Sequence, residues 1–160
     1  MASGFDIPDT DDVSRMLTFL IGHNVKAKKA SRYRPGTREA HALGVYVNGT
    51  NEPIGICLTD LGLAIHFGAA LSHVPAVEAK KAIKARTIDP ELWDHTLEVY
   101  SVISRFFHES HDGMVQLGPT FPDAHEISKD VKRLMRRSKR RADLIVDIEG
   151  YGKGTMSLIG

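Results

Sequence analysis

Hydrophobic and polar positions separate most clearly between Asp89 and His111. The large apolar residues of this stretch recur at helical spacing: Leu92, Trp93, Leu97, Tyr100, Ile103, Phe106 and Phe107. Asp89 suits the N-cap position, and Pro90 suits the first helical position. The pattern therefore predicts a long helix from Asp89 to His111, with its apolar side in the core of the protein.

A polar stripe follows the same helix on the side that the apolar residues leave free. Its members succeed one another in steps of four, three, four and three residues: Asp94, Glu98, Ser101, Arg105 and His108. Steps of three and four residues place side chains in one line along a helix. Most stripes of this kind are solvated surface. The sequence thus leaves two interpretations open, a solvated face and a binding surface.

The rest of the chain predicts shorter elements on both sides of this helix. Before it, the pattern predicts a helix from Thr10 or Asp11 to about Ala30, then a hairpin of strands 42–47 and 54–58, and then two helices, from 59 or 60 to about 71 and from 75 to about 86. After it, the pattern predicts a strand at 115–117 and a second hairpin of strands 143–148 and 155–159. Residues 1–10 are expected to form an irregular N-terminal segment, the loose start, and residues 31–40 are expected to form a loop. The order predicts one α+β domain spanning 1–160, a mostly antiparallel sheet with helices packed on one face.

Composition narrows the class of protein. The chain has 160 residues, 42% of them hydrophobic, which suffices for a sizeable core. Cys57 is the single cysteine, so an intramolecular disulfide is excluded, and its apolar neighbours predict a small buried side chain. No apolar run approaches the length of a membrane span, and the N-terminus does not read as a secretion signal. A cytoplasmic location is expected, and no cofactor is expected.

The charge of the chain is concentrated in one basic segment. The formal net charge is +1, but residues 129–141 carry eight Lys and Arg against one Asp. The candidate anion-binding residues of this basic arm are Lys132, Arg133, Arg136, Arg137, Lys139, Arg140 and Arg141. The segment is predicted as a helix or an exposed loop. It is either a solvated arm or a surface for nucleic acid, lipid or an acidic protein. It contains no aromatic residue for base stacking.

Two further patterns are weak evidence of chemistry. Four potential metal ligands crowd the predicted helix end: His108, Glu109, His111 and Asp112. Their spacing is not that of H-E-x-x-H, so no metal site is expected. Gly150, Gly152 and Gly154 alternate after a strand, but the helix that a dinucleotide fingerprint needs does not follow, and a tight turn is favoured.

The order of elements and the polar stripe together resemble the CheX/CheC/FliY family of chemotaxis phosphatases, and CheX most in size and layout. The likeness runs from about residue 12 to the end. The family motif is Asp or Ser, three residues, Glu, two residues, Asn, and a proline well downstream. Asp94, Glu98 and Ser101 stand at those spacings, with Pro119 or Pro122 as the proline. Ser101 occupies the position of the family's Asn.

The resemblance implies a function and a partner. Family members insert this helix into the active site of a phosphorylated response-regulator receiver such as CheY. There the Glu pairs with a receiver Lys, and the Asn amide orients the water that hydrolyses the aspartyl phosphate. Glu98 and Ser101 are the candidate catalytic residues, and Asp94, Arg105 and Pro119 are candidate partner-binding residues. With Ser101 in place of the amide, the chain is either a weak phosphatase or a relative that only binds. The resemblance also implies a homodimer through sheet edges.

Overall fold

Six strands form one antiparallel sheet in the computed structural model, which describes residues 7–33, 40–108, 113–123, 128–136 and 140–160. The strands are β1 (Val25–Lys29), β2 (His41–Val47), β3 (Pro53–Asp60), β4 (Gln116–Phe121), β5 (Arg141–Ile148) and β6 (Gly152–Ile159). They lie in the order β1-β5-β6-β3-β2-β4, and every pairing is antiparallel. Both predicted hairpins, β2–β3 and β5–β6, are present.

The helices follow the predicted order. They are α1 (Thr10–Ile21), α2 (Leu61–Leu71), α3 (Ala76–Ala85), α4 (Pro90–Ile103), α5 (Arg105–His108) and α6 (Lys129–Met135). Asp9, Asp60, Asp89 and Ser128 cap four of them by accepting a backbone N–H of the first turn. The predicted α+β class is confirmed. The sequence places the start of the first helix at Thr10 or Asp11. The helix begins at Thr10, and the residue that caps it is Asp9.

The two faces of the sheet carry different helices. Cys57 packs in the core shared with α1, α2, α4 and α5, whereas its neighbours Ile56 and Leu58 pack with α6. Adjacent strand residues point to opposite faces, so α6 covers the side of the sheet away from the larger helices. Cys57 is fully buried, as expected, and burial raises the pKa of its thiol.

Strand β1 replaces the second half of the first predicted helix. The sequence predicted a helix to about Ala30, but α1 ends at Ile21, where Gly22 adopts a left-handed conformation with φ of 80°. A glycine in this conformation is a common helix stop. Val25 and Ala27 then point into the core while Lys26 and Lys28 are exposed, which is the alternation of a strand.

The outer edge of β1 is closed by α1. Thr18 Oγ1 accepts a hydrogen bond from the Val25 N–H at 2.9 Å and donates one to the Val25 carbonyl at 3.2 Å. Ser14 Oγ accepts from the Ala27 N–H at 2.9 Å. These side chains take the backbone groups that an additional strand would need. At the other end of the sheet, β4 pairs with β2 alone among the strands of the described chain.

Helix α4 lies directly on α2. A Cβ added at Gly68 of α2 would stand 2.5 Å from the Leu92 carbonyl oxygen and 2.7 Å from Thr96 Oγ1. The absence of a side chain at Gly68 therefore sets the distance between the two helices. Thr96 Oγ1 also donates to the Ala64 carbonyl at 2.6 Å, which links the helices by a buried hydrogen bond.

The predicted long helix is interrupted at Ser104. The Ser104 N–H bonds the Ser101 carbonyl at 3.2 Å instead of the Tyr100 carbonyl, which accepts the Tyr46 hydroxyl at 2.7 Å. Ser104 Oγ also donates to the Ser101 carbonyl at 2.6 Å. A serine hydroxyl that competes for backbone carbonyls in this way favours a break in the helix. The expected single helix is thus two segments, α4 and α5.

Some predictions fall outside the described residues. They are the loose start at 1–6, most of the loop at 34–39, the helix end with Glu109, His111 and Asp112, residues 124–127, and Arg137 and Lys139 of the basic arm. Within the described ranges, no helix has the length and hydrophobicity that a bilayer crossing requires.

Candidate functional site

The polar stripe is exposed to solvent along its whole length. Asp94, Glu98 and Ser101 lie on the outer side of α4, and Arg105 and His108 continue the line on α5. The Glu98 side chain is 62% exposed. From Asp94 to Ser101 the stripe extends about 10 Å, at the usual rise of an α-helix. The structure therefore brings the motif residues together on one convex surface.

Buried polar contacts hold the inner side of α4 in place. Tyr100 is fully buried, and its hydroxyl lies 2.6 Å from Thr59 Oγ1 of β3. The Tyr46 hydroxyl of β2 donates to the Tyr100 carbonyl at 2.7 Å. Burial raises the pKa of both tyrosines, so both hydroxyls stay protonated as these hydrogen bonds require. Ser101, the next residue along the chain, is thus carried by a rigidly anchored turn.

His95 is a neighbour of the stripe that sequence reasoning missed. Its Nδ1 lies 3.6 Å from Glu98 Oε1, and its side chain is 32% exposed. The spacing of three residues on a helix was the available signal. When His95 is protonated it forms an ion pair with Glu98, and it then competes with any external cation for that carboxylate.

A groove between α3 and α4 adjoins the stripe. Its lining includes the apolar side chains of Val74, Ala82 and Leu92, with Glu91 and His95 at its rim. Helix α3 was predicted, but the groove depends on the angle at which α3 and α4 meet. That angle is a tertiary property which the spacing of residues along the chain does not contain.

The remaining candidate partner-binding residue, Pro119, lies on a different element. It is exposed on β4, the edge strand, at an irregularity where the register with β2 shifts between Gly44 and Tyr46. Proline is tolerated on edge strands because it cannot donate to a ladder. Strand β4 packs beside α4. Pro119 is therefore on an element adjacent to the stripe but not part of it.

The first half of the basic segment forms a helix. Lys129 to Met135 is α6, and Val131 and Leu134 are buried against the sheet. Lys132, Arg133 and Arg136 are exposed, as is Arg140 just before β5. Of the two interpretations left open by the sequence, helix or loop, the described part of the segment supports the helix.

Arg141 is a correction to the predicted basic surface. Its side chain is 6% exposed, and it binds Asp143 through Nε at 2.8 Å and Nη2 at 2.7 Å. It also donates to the carbonyls of Met135 and Tyr33. Burial raises the pKa of Asp143, but hydrogen bonds from Arg141, Ser157 and the Tyr33 N–H outweigh burial and hold it below its ordinary value. Arg141 is thus a structural residue.

The stripe is suited to binding rather than to independent catalysis. Glu98 is an exposed carboxylate that can pair with a cation, and the Ser101 hydroxyl can donate to or accept from a water molecule. Both are exposed on the surface of α4. A convex surface of this kind fits into a cleft of another protein, which would have to supply the reacting group.

Comparison with known proteins identifies the fold. No protein-family model and no curated protein sequence matches the chain. Among solved structures, FliM in the FliM–SpeE complex from H. pylori matches with a TM-score of 0.64 at 8% identity, over 94% of this chain and 80% of that one. FliM in the FliG–FliM complex from H. pylori matches with a TM-score of 0.54 at 10% identity, over 94% and 85%.

The chain has the CheC/CheX/FliM fold. CheX in a complex with CheY, BeF3 and Mg²⁺ from Borrelia burgdorferi matches less well, with a TM-score of 0.49 at 9% identity over 93% of this chain and 92% of that one. The resemblance drawn from the sequence is confirmed at the level of fold by the FliM matches, whose TM-scores lie above 0.5.

Proposed function

We propose that this chain is a CheX-like domain that docks a response-regulator receiver through the exposed stripe of α4. The observation that carries the proposal is the joint exposure of Glu98 and Ser101 on a helix whose inner side is pinned by Thr96 and Tyr100. A side chain held on a rigid element loses little freedom when a partner binds. With a receiver as its partner, the chain acts in the cytoplasm.

The residues of the stripe take distinct roles in this proposal. Glu98 pairs with a receiver lysine and sets the docking register, and Asp94 extends the acidic surface. Ser101 faces the aspartyl phosphate, and Arg105 contributes a cation one turn further along. A serine hydroxyl has less reach than an asparagine amide, and its orientation is less fixed. The domain is therefore a weak phosphatase of the receiver or a protein that only binds it.

Known structures of the same fold agree with a role in protein assembly. Two of the FliM structures that match this chain were solved as complexes, one with SpeE and one with FliG. In this chain the stripe on α4 and the groove beside α3 provide adjoining surface for a protein partner.

Self-association through sheet edges, if it occurs, uses β4. The outer backbone groups of β1 are bonded to Thr18 and Ser14 of α1, which leaves β4 as the edge with unpaired backbone among the described strands. Pro119 lacks an N–H, so the paired length is limited to the residues around it.

Glu98→Gln should weaken receiver binding by about thirtyfold or more, because it leaves the receiver lysine without its charged partner. Receiver domains from the same organism, activated with beryllofluoride, would be titrated against the wild type and the variant. Glu149→Gln is the matched control, since Glu149 is also an exposed glutamate and lies in the turn between β5 and β6. Equal affinities of the wild type and Glu98→Gln, or no binding to any receiver, would rule out this docking.

A further inference from the structure

The outward side of α6 is a row of cations. Positions 129, 132, 133 and 136 are all Lys or Arg, all exposed, and spaced three and four residues apart. The opposite side of the helix is buried through Val131 and Leu134, which pack on β2, β3 and β6. The apolar side is therefore already occupied by the sheet, and only the charged side is available to a ligand.

Strand β1 adds cations to the same face of the sheet. Val25 and Ala27 pack in the core on the side of the large helices. Lys26 and Lys28 alternate with them and are exposed, so they point to the face that α6 covers. One hundred residues of chain separate Lys28 from the start of α6 at Lys129, and the sequence therefore did not associate the two groups.

A hydrogen-bonded junction joins the two groups of cations. Arg32, which follows β1, donates from Nη2 to the Arg136 carbonyl at 2.8 Å. Its neighbour Tyr33 donates its N–H to Asp143 and accepts from Arg141. The buried Arg141–Asp143 pair thus holds the segment after β1 against the end of α6. The exposed cations on this side of the sheet are together called the basic face: Lys26, Lys28, Arg32, Lys129, Lys132, Arg133 and Arg136.

Exposed apolar side chains lie within and beside the basic face. Ile145 of β5 pairs in register with Lys28 and is 40% exposed. Phe19 of α1 is 91% exposed and lines a groove with Lys26 and Lys28. Asp147, opposite Lys26, and the exposed Asp130 of α6 offset two of the positive charges. The described part of the basic face therefore combines an excess of cations with exposed apolar side chains.

We propose that the basic face binds the surface of anionic lipid membranes. Each Lys or Arg near an anionic leaflet adds to the attraction, and exposed aliphatic side chains enter the headgroup boundary. Single-stranded nucleic acid would call for several exposed aromatic rings on which successive bases stack, and among the described residues beside Lys26 and Lys28 the one strongly exposed ring is that of Phe19.

The proposal has a consequence for orientation. Glu91, Asp94 and Glu98 are exposed on α4, on the far side of the sheet from α6. An anionic surface attracts the basic face and repels these carboxylates. A membrane-bound chain therefore presents the stripe of α4 away from the lipid. Membrane binding does not depend on whether that stripe docks a receiver.

Co-sedimentation with phosphatidylcholine vesicles, with and without phosphatidylserine, tests the proposal. The wild type should bind only vesicles with phosphatidylserine, and more weakly as salt is added. Lys26→Gln with Lys28→Gln should lower the affinity by about thirtyfold, at about fivefold for each cation. Lys80→Gln with Lys84→Gln on α3 removes the same charge elsewhere and should leave the affinity unchanged. Circular dichroism confirms that each variant is folded.

Four results would overturn the proposal. Equal binding to both kinds of vesicle would exclude recognition of anionic lipid. An equal loss in both double variants would show that only net charge matters, and no loss in the β1 variant would show that the strand is not part of the surface. Binding to duplex DNA without binding to vesicles would assign the basic face to nucleic acid instead.

Discussion

Ser101→Asn should raise the rate at which this protein dephosphorylates a bound receiver by about a hundredfold, the factor that a misplacement of 1 Å can cost. The amide restores a group that donates and accepts at once and reaches further from the helix than a hydroxyl does. Because Ser101 is exposed and its backbone is anchored through Tyr100, the longer side chain meets no obstacle in the free protein. Release of phosphate from a phosphorylated receiver measures the effect.

Ser101→Ala is the matched control for this change. It removes the hydroxyl without adding an amide, so it should abolish any residual activity and leave receiver binding through Glu98 intact. If Ser101→Asn binds the receiver as well as the wild type does but hydrolyses it no faster, the catalytic group is not at position 101. Receiver docking through α4 would stand in that case, while the phosphatase role would not.

Arg141→Met should lower the free energy of unfolding by about 3–5 kcal/mol, the usual cost of breaking a buried ion pair from one side. The methionine fills a similar volume, but Asp143 keeps its charge and loses both hydrogen bonds from the guanidinium. The carbonyls of Met135 and Tyr33 lose a donor as well. Urea denaturation at neutral pH measures the difference from the wild type.

The pH dependence of this loss identifies its cause. In the wild type the pKa of Asp143 lies below its ordinary value, so its contribution to stability is complete above that value and is lost as pH falls through the folded pKa. Without Arg141, burial raises the pKa of Asp143, and protonation relieves the unpaired charge. The difference in the free energy of unfolding between Arg141→Met and the wild type should therefore be smaller at acid pH. Arg140→Met, at the exposed neighbour, should change stability by no more than about 0.5 kcal/mol at any pH.

Burial along single elements could be predicted from the sequence. The spacing of Val13, Leu17 and Ile21 places them on the core side of α1, and all three are buried. The same reasoning placed Glu98 and Ser101 on the exposed side of α4. Both predictions succeed because the period of a helix alone determines which residues share a side.

Features that depend on distant partners could not be predicted in the same way. The break at Ser104 coincides with a contact to a distant strand, because the Tyr100 carbonyl there accepts the hydroxyl of Tyr46. The sequence predicts a helix where strand β1 lies, because the two buried residues of the strand, Val25 and Ala27, are too few to establish the two-residue period of a strand. The pairing of Arg141 could have been predicted, since Asp143, two residues later, points to the same side of a strand and can neutralise its charge.

The docking of a receiver on α4 is tested most directly by the amide resonances of this protein during titration with an activated receiver. The perturbed resonances should cluster at residues 94–108, and those of α6 and β1 should stay unchanged. Perturbations centred on α6, or on β4 without α4, would contradict it, because the partner would then occupy a surface other than the one that carries Glu98 and Ser101.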